Sequence, residues 1–173
     1  MTAWLKEAGK PGVRDEDKLR KILSMPDYEI EFRRYGDPNL PVCGISFEEA
    51  VDFFLHFDEK NFANPRLSGK KETFLAFYND LDTRLQRIEM LNSITPNDLK
   101  LVGQLLENGL PEHLLRELDQ FTVLLTISIG NSMGWPYENY IHFDVANLDT
   151  LTDKESFLHV LAHEIHHIMF SQL

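Results

Sequence analysis

Apolar residues along this chain recur mostly at intervals of three and four, a spacing that predicts helices. Asp17 to Met25 reads as a short helix stopped by Pro26. Tyr28, Ile30 and Phe32 alternate with Glu29, Glu31 and Arg33, and this period of two predicts a half-buried strand. Residues 36 to 44, rich in Gly, Pro and Asn, predict a loop. Ser46 with Glu49 forms a capping box, and the helix behind it has Val51, Phe54 and Leu55 on its apolar side. Residues 61 to 69 break the pattern. From Lys70 to about Leu91, Phe74, Phe77, Leu81, Leu85, Ile88 and Leu91 keep helical spacing. Thr95 predicts the cap of a further helix, with Pro96 in its first turn and Gly109 at its end. Pro111 predicts the start of another, through Leu114, Leu118, Phe121 and Leu125 to Ile129. Residues 130 to 136 read as a loop and Tyr140 to Val145 as a short strand. Thr152 and Glu155 predict a second capping box. The last helix begins there and buries Phe157, Leu158, Leu161, Ile165 and Ile168. The sum is an α+β class: one helix-rich domain with a small sheet.

Composition alters this picture little. A chain of 173 residues can bury a sizeable core, and its twelve phenylalanines predict one built of rings. Charge excludes more. The net charge is −11, and residues 1 to 24 are mildly basic, so the remainder is more acidic still. Such a surface repels polyanions and argues against a nucleic-acid partner. The single cysteine, Cys43, excludes an internal disulfide and a cysteine-rich metal site; it reads as an inert thiol. No run of eighteen apolar residues predicts a membrane span. No apolar leader predicts secretion, which points to the cytoplasm. Oligomeric state is not encoded in any pattern of this chain.

The candidate chemistry lies in the last predicted helix, at His163-Glu164-Ile165-His166-His167. Residues i and i+4 stack on one helix face with β-carbons about 6 Å apart. That gap suits two imidazole nitrogens at about 2.0–2.1 Å from one zinc ion, which nominates His163 and His167 as ligands. Glu164 stands one residue from the first histidine, where its carboxylate reaches a metal-bound water rather than the metal. The plainer alternative is an exposed histidine cluster on a terminal helix. His159 lies one turn earlier. Three histidines at 159, 163 and 167 span about 12 Å of helix rise, too far to surround one ion, so His159 reads as a rim group.

The segment His163-Glu164-Ile165-His166-His167 resembles the zincin metallopeptidases, whose active-site helix carries H-E-x-x-H. With Leu161 before it, it is also similar to uncharacterised zinc-dependent peptidases in which helices precede a strand and then an L-x-H-E-x-x-H helix. The resemblance covers about residues 140 to 170. It implies a zincin-like domain, a Zn2+ cofactor held by His163 and His167, Glu164 as general base, and a peptide or protein substrate. Zincins also use a third ligand downstream. The metzincin continuation departs from Met169-Phe170-Ser171-Gln172, and by elimination the likeness is to the gluzincin-like branch, whose ligand is a glutamate on a following helix. No Glu, Asp or His follows His167, so the expectation is of a chain cut short, with the missing ligand on a helix beyond Leu173 and little activity in these 173 residues.

Zincins bind extended substrate along a strand near the cleft, and residues 137 to 145 are similarly placed. By the period of two, Tyr140, His142 and Asp144 share one face, and Ile141, Phe143 and Val145 the core face. Tyr140, His142 and Asp144 are therefore candidates for substrate binding or for supporting the ligands, and His142 or Asp144 for an unorthodox upstream ligand. Tyr137 and Tyr140 are candidate oxyanion donors, against the plainer reading of buried tyrosines with ordinary hydrogen bonds. The leading expectation is a zinc-dependent metallopeptidase. The alternatives are a catalytically inactive zincin-like or helical interaction module, and another metal-assisted hydrolase.

Overall fold

Side-chain caps start several of the helices in the computed structural model, which describes residues 1–7, 14–40, 44–115, 121–129, 133–150 and 153–171. These residues form helices with one small sheet, in two compact units. The first unit is Met1–Leu81 with Thr126–Asn131, and the second is Asp82–Leu125 with Ser132–Leu173.

The first unit holds α1 (Thr2–Glu7), α2 (Glu16–Leu23), α3 (Pro26–Gly36), α4 (Phe47–His56) and α5 (Pro65–Asn79). The Asp15 carboxylate accepts from Lys18 N at 3.0 Å and starts α2. Ser46 and Glu49 make the expected capping box at α4, each side chain bonded to the other's backbone N–H. Asn64 caps α5, with Pro65 in the first turn. Helix α5 therefore begins inside the stretch expected to be irregular, and Asp80 separates it from α6 within the span expected to be one helix.

The predicted strand at Tyr28–Phe32 is corrected to a helix, α3. Its buried residues include Tyr28, Glu31 and Tyr35, which recur at three and four, as do Ile30 and Arg34. A period of two over five residues cannot outweigh Pro26 in the first turn, acids at the N-terminal end and Arg33 and Arg34 at the C-terminal end.

Rings build the core of this unit. Phe74 is wholly buried, with ring centroids 5.4, 5.5, 4.7 and 5.7 Å from those of Phe53, Phe54, Phe57 and Phe77. Several of these pairs are edge-to-face, the arrangement the ring quadrupole favours. A polar knot lies apart from the rings. Tyr35 donates its hydroxyl proton to the buried Glu31 carboxylate, which also accepts from Thr126 Oγ1 at 3.0 Å. With its one proton committed, the Tyr35 oxygen accepts from Ser128 Oγ at 3.0 Å and from Ile129 N at 3.1 Å. Burial, and after it the Glu31 charge, push the Tyr35 phenol well above its usual pKa.

The second unit holds α6 (Leu81–Asn92, whose first residue belongs to the first unit), α7 (Leu99–Gly109), the short α8 (Glu112–Leu115), β1 (Thr122–Thr126, whose last residue belongs to the first unit), β2 (Gly134–Tyr137), β3 (Tyr140–Asp144), a 3-10 turn (Val145–Thr150) and α9 (Lys154–Ser171). The long helix expected from Pro111 to Ile129 is corrected: among the described residues it is only α8, and residues 122–126 are strand. Thr122, Val123 and Thr126 are β-branched, and their stiff side chains favour a pleated backbone. Residues 134–136, expected in a loop, are likewise strand. Pro136 is tolerated because β2 is an edge strand.

The sheet order is β1-β3-β2. β2 and β3 pair antiparallel through a tight hairpin, with Gly134 opposite Phe143 and Tyr137 opposite Tyr140. Helix α9 packs on β2 and β3, and α7 packs on α9. All five residues expected to face the core from α9 are buried. Lys154 joins the start of α9 to the turn before α7, donating to Ser93 O at 2.9 Å. Thr152, Cys43 and Leu118 lie outside the described residues; the side chain that caps α9 is Asp153, which accepts from Ser156 N at 2.8 Å.

Candidate metal centre

The amphipathic pattern of α9 decides how its polar residues are presented. Burying Leu161, Ile165 and Ile168 leaves His163 and His167 exposed on the opposite side of the helix. Their Nε2 atoms approach to 2.9 Å, with the rings edge-to-face at 84° and centroids 4.4 Å apart. At least one of the two nitrogens must be unprotonated to accept from the other, so a lone pair already points into the shared space. Two nitrogens bound to one tetrahedral zinc would stand roughly 3.3 Å apart, from zinc–nitrogen distances of about 2.0–2.1 Å. The pair is within a few tenths of an ångström of that separation. The two side chains fit a zinc ion with little rearrangement.

Glu164 differs from its neighbours. It is 9% exposed, turned toward the sheet side of α9. Burial raises its carboxyl pKa, and the nearby His163 and His167 partly oppose the rise. A carboxylate with a raised pKa accepts a proton more readily at neutral pH, as a general base must.

The remaining candidates are placed elsewhere. His142 is fully buried and stacks on Trp135, with ring centroids 5.4 Å apart and planes 9° from parallel. Asp144 is fully buried and fastens the turn after β3, accepting from Ala146 N at 3.0 Å and Asn147 Nδ2 at 2.8 Å. The strand is buried on both faces from Ile141 onward, so the alternation that set His142 and Asp144 on an open face does not hold. Tyr137 and Tyr140 are half-buried at the hairpin. β3 is the central strand and the sheet edges are β1 and β2, so β3 does not offer the edge expected at residues 137 to 145. His159 is exposed, 4.0 Å from a Glu155 carboxylate oxygen, and lines a shallow groove against α7 with His163, His166, Leu105 and Leu106.

The structure thus brings together the His163 and His167 Nε2 atoms, with Glu164 beside His163 along the same helix but turned toward the sheet. Among the described residues, no group of three His, Cys, Asp or Glu side chains is arranged to hold a metal ion. Trp135 and Gly134 escaped the sequence reading, because a loop was expected where β2 runs. No protein-family model, curated protein or solved structure significantly matches this chain. No described helix is long and apolar enough to cross a membrane.

Proposed function

We propose that this chain carries the metal-binding and proton-transfer half of a zinc-dependent peptidase. The observation that carries the reading is the convergence of the His163 and His167 Nε2 atoms on the helix that also carries the buried Glu164. His163 and His167 would hold the zinc, which when bound supplies Lewis-acid activation of a water for attack on a peptide carbonyl. Glu164 accepts the proton that the attacking water gives up and passes it to the leaving amine. Its burial serves this role by raising its affinity for that proton. The edge strand β2, packed on α9, offers main-chain groups to an extended peptide. The reading calls for one further protein ligand besides the histidine pair, as catalytic zinc sites ordinarily have three.

The test is Glu164→Gln in protein loaded with zinc and offered a mixture of quenched fluorogenic peptides. The variant should bind zinc as wild type does and lose at least about 100-fold in turnover, the scale of a missing general base. Equal turnover in both proteins would remove Glu164 from the mechanism. Zinc binding without turnover in wild type would favour a zinc-binding interaction module instead.

A further inference from the structure

Gly134 lies on β2, opposite Phe143 in the sheet register. A β-carbon placed there would sit 3.3 Å from Glu164 Oε1, and 3.1 and 3.3 Å from two atoms of the Phe143 ring. Glycine is not needed at this position for its backbone freedom, since the left-handed glycine among the described residues is Gly44. What glycine provides at 134 is room.

Two neighbours fill that room, and they differ in their ability to retreat. The Phe143 ring is wholly buried and rests against Phe157, with centroids 4.7 Å apart. Moving it would disturb a close-packed core. The Glu164 oxygen ends a side chain with rotatable bonds and is the easier of the two to displace.

We propose that Gly134 is a positioning residue for Glu164. The bare backbone of β2 leaves a space the width of one carboxylate oxygen, and that space fixes where the general base rests relative to the His163–His167 pair. The assignment rests on the reading of Glu164 as the base. A side chain at 134 pushes the carboxylate by a few tenths of an ångström. Proton transfer is sensitive to such shifts, since a misplacement of about 1 Å can cost about 100-fold in rate.

The first test needs no activity. Unfolding midpoints are measured for wild type, Gly134→Ala, Glu164→Ala and the double variant. If Glu164 takes up the contact, Gly134→Ala lowers the midpoint in wild type and lowers it clearly less in the Glu164→Ala background. Equal losses in both backgrounds would mean that Phe143 bears the contact, and the proposal would be overturned. The second test uses zinc-loaded protein. Gly134→Ala should leave zinc affinity within about 2-fold and lower kcat by roughly 3- to 10-fold, with KM little changed. Gly134→Val, a better strand former, should lower kcat further. Unchanged kcat in both variants would also overturn the proposal. Absence of turnover in wild type would count against the peptidase reading alone, and the unfolding comparison would still decide the role of Gly134.

Discussion

The Nε2 atoms of His163 and His167 stand 2.9 Å apart on the exposed side of α9, close enough for one to donate to the other. On the proposed reading, a zinc ion would replace this contact and be shared by the two nitrogens. Neither His142 nor His159 joins it, for one stacks on Trp135 inside the second unit and the other lies toward Glu155.

Metal binding should follow that pairing. Titrated by calorimetry against Zn2+, the untagged protein should take up one equivalent. His163→Ala or His167→Ala should weaken the site by at least about 10-fold, because each removes one of few protein ligands. His166→Ala should change affinity much less, its ring centroid lying 6.5 Å from that of His167. Equal losses in all three variants would point to loose association with a histidine-rich surface.

The buried knot in the first unit gives a second expectation. Tyr35→Phe removes the donor to Glu31 and the acceptor of Ile129 N–H. Leaving the buried Ile129 N–H without an acceptor should cost about 1–3 kcal/mol in urea unfolding. The Tyr35 pKa is raised in the folded chain, so the unfolded chain ionises first as pH rises past about 10. Wild type should therefore lose stability with rising pH in that range, and Tyr35→Phe should lose less.

Glu49 should show the opposite sign. Its carboxyl is held below the usual range, first by the Ser46 backbone N–H and then by the Asn64 amide. A lowered folded-state pKa stabilises the fold above the unfolded value of about 4.3, and that contribution disappears as pH falls through the folded value. Glu49→Gln keeps the capping geometry and removes the charge. The stability gap between it and wild type should be full above about pH 5, and it should close as pH falls below the unfolded value and through the lowered folded one. A gap independent of pH would assign the effect to packing.

The hairpin joining β2 and β3 carries a local strain. Glu138 has φ 52°, in the left-handed region where a β-carbon costs about 1–2 kcal/mol. Glu138→Gly should raise stability by up to about 1 kcal/mol, less than the full relief because glycine loses more freedom on folding. A loss in the same measurement would mean that the Glu138 side chain contributes more than the strain removes.

Features that rest on neighbours along the chain were legible before folding. The Ser46–Glu49 box, the buried face of α9 and the i, i+4 spacing of His163 and His167 each depend on a few consecutive turns of helix, whose geometry is fixed by the backbone. The rest depends on packing between segments distant along the chain. Tyr28 to Phe32 is the exception: its helix signals at Pro26, Asp27, Arg33 and Arg34 are local, and a five-residue alternation masked them. Residues 122–126 keep apolar spacing that also fits a helix, yet they enter a sheet whose partner strand begins only at Tyr140. His142 and Asp144 alternate with apolar neighbours, yet both faces of β3 are covered, and an alternating pattern cannot show what packs against its polar side. The closeness of Gly134 to Glu164 is of the same kind: thirty positions separate them in sequence, and only the packing of β2 on α9 brings them together.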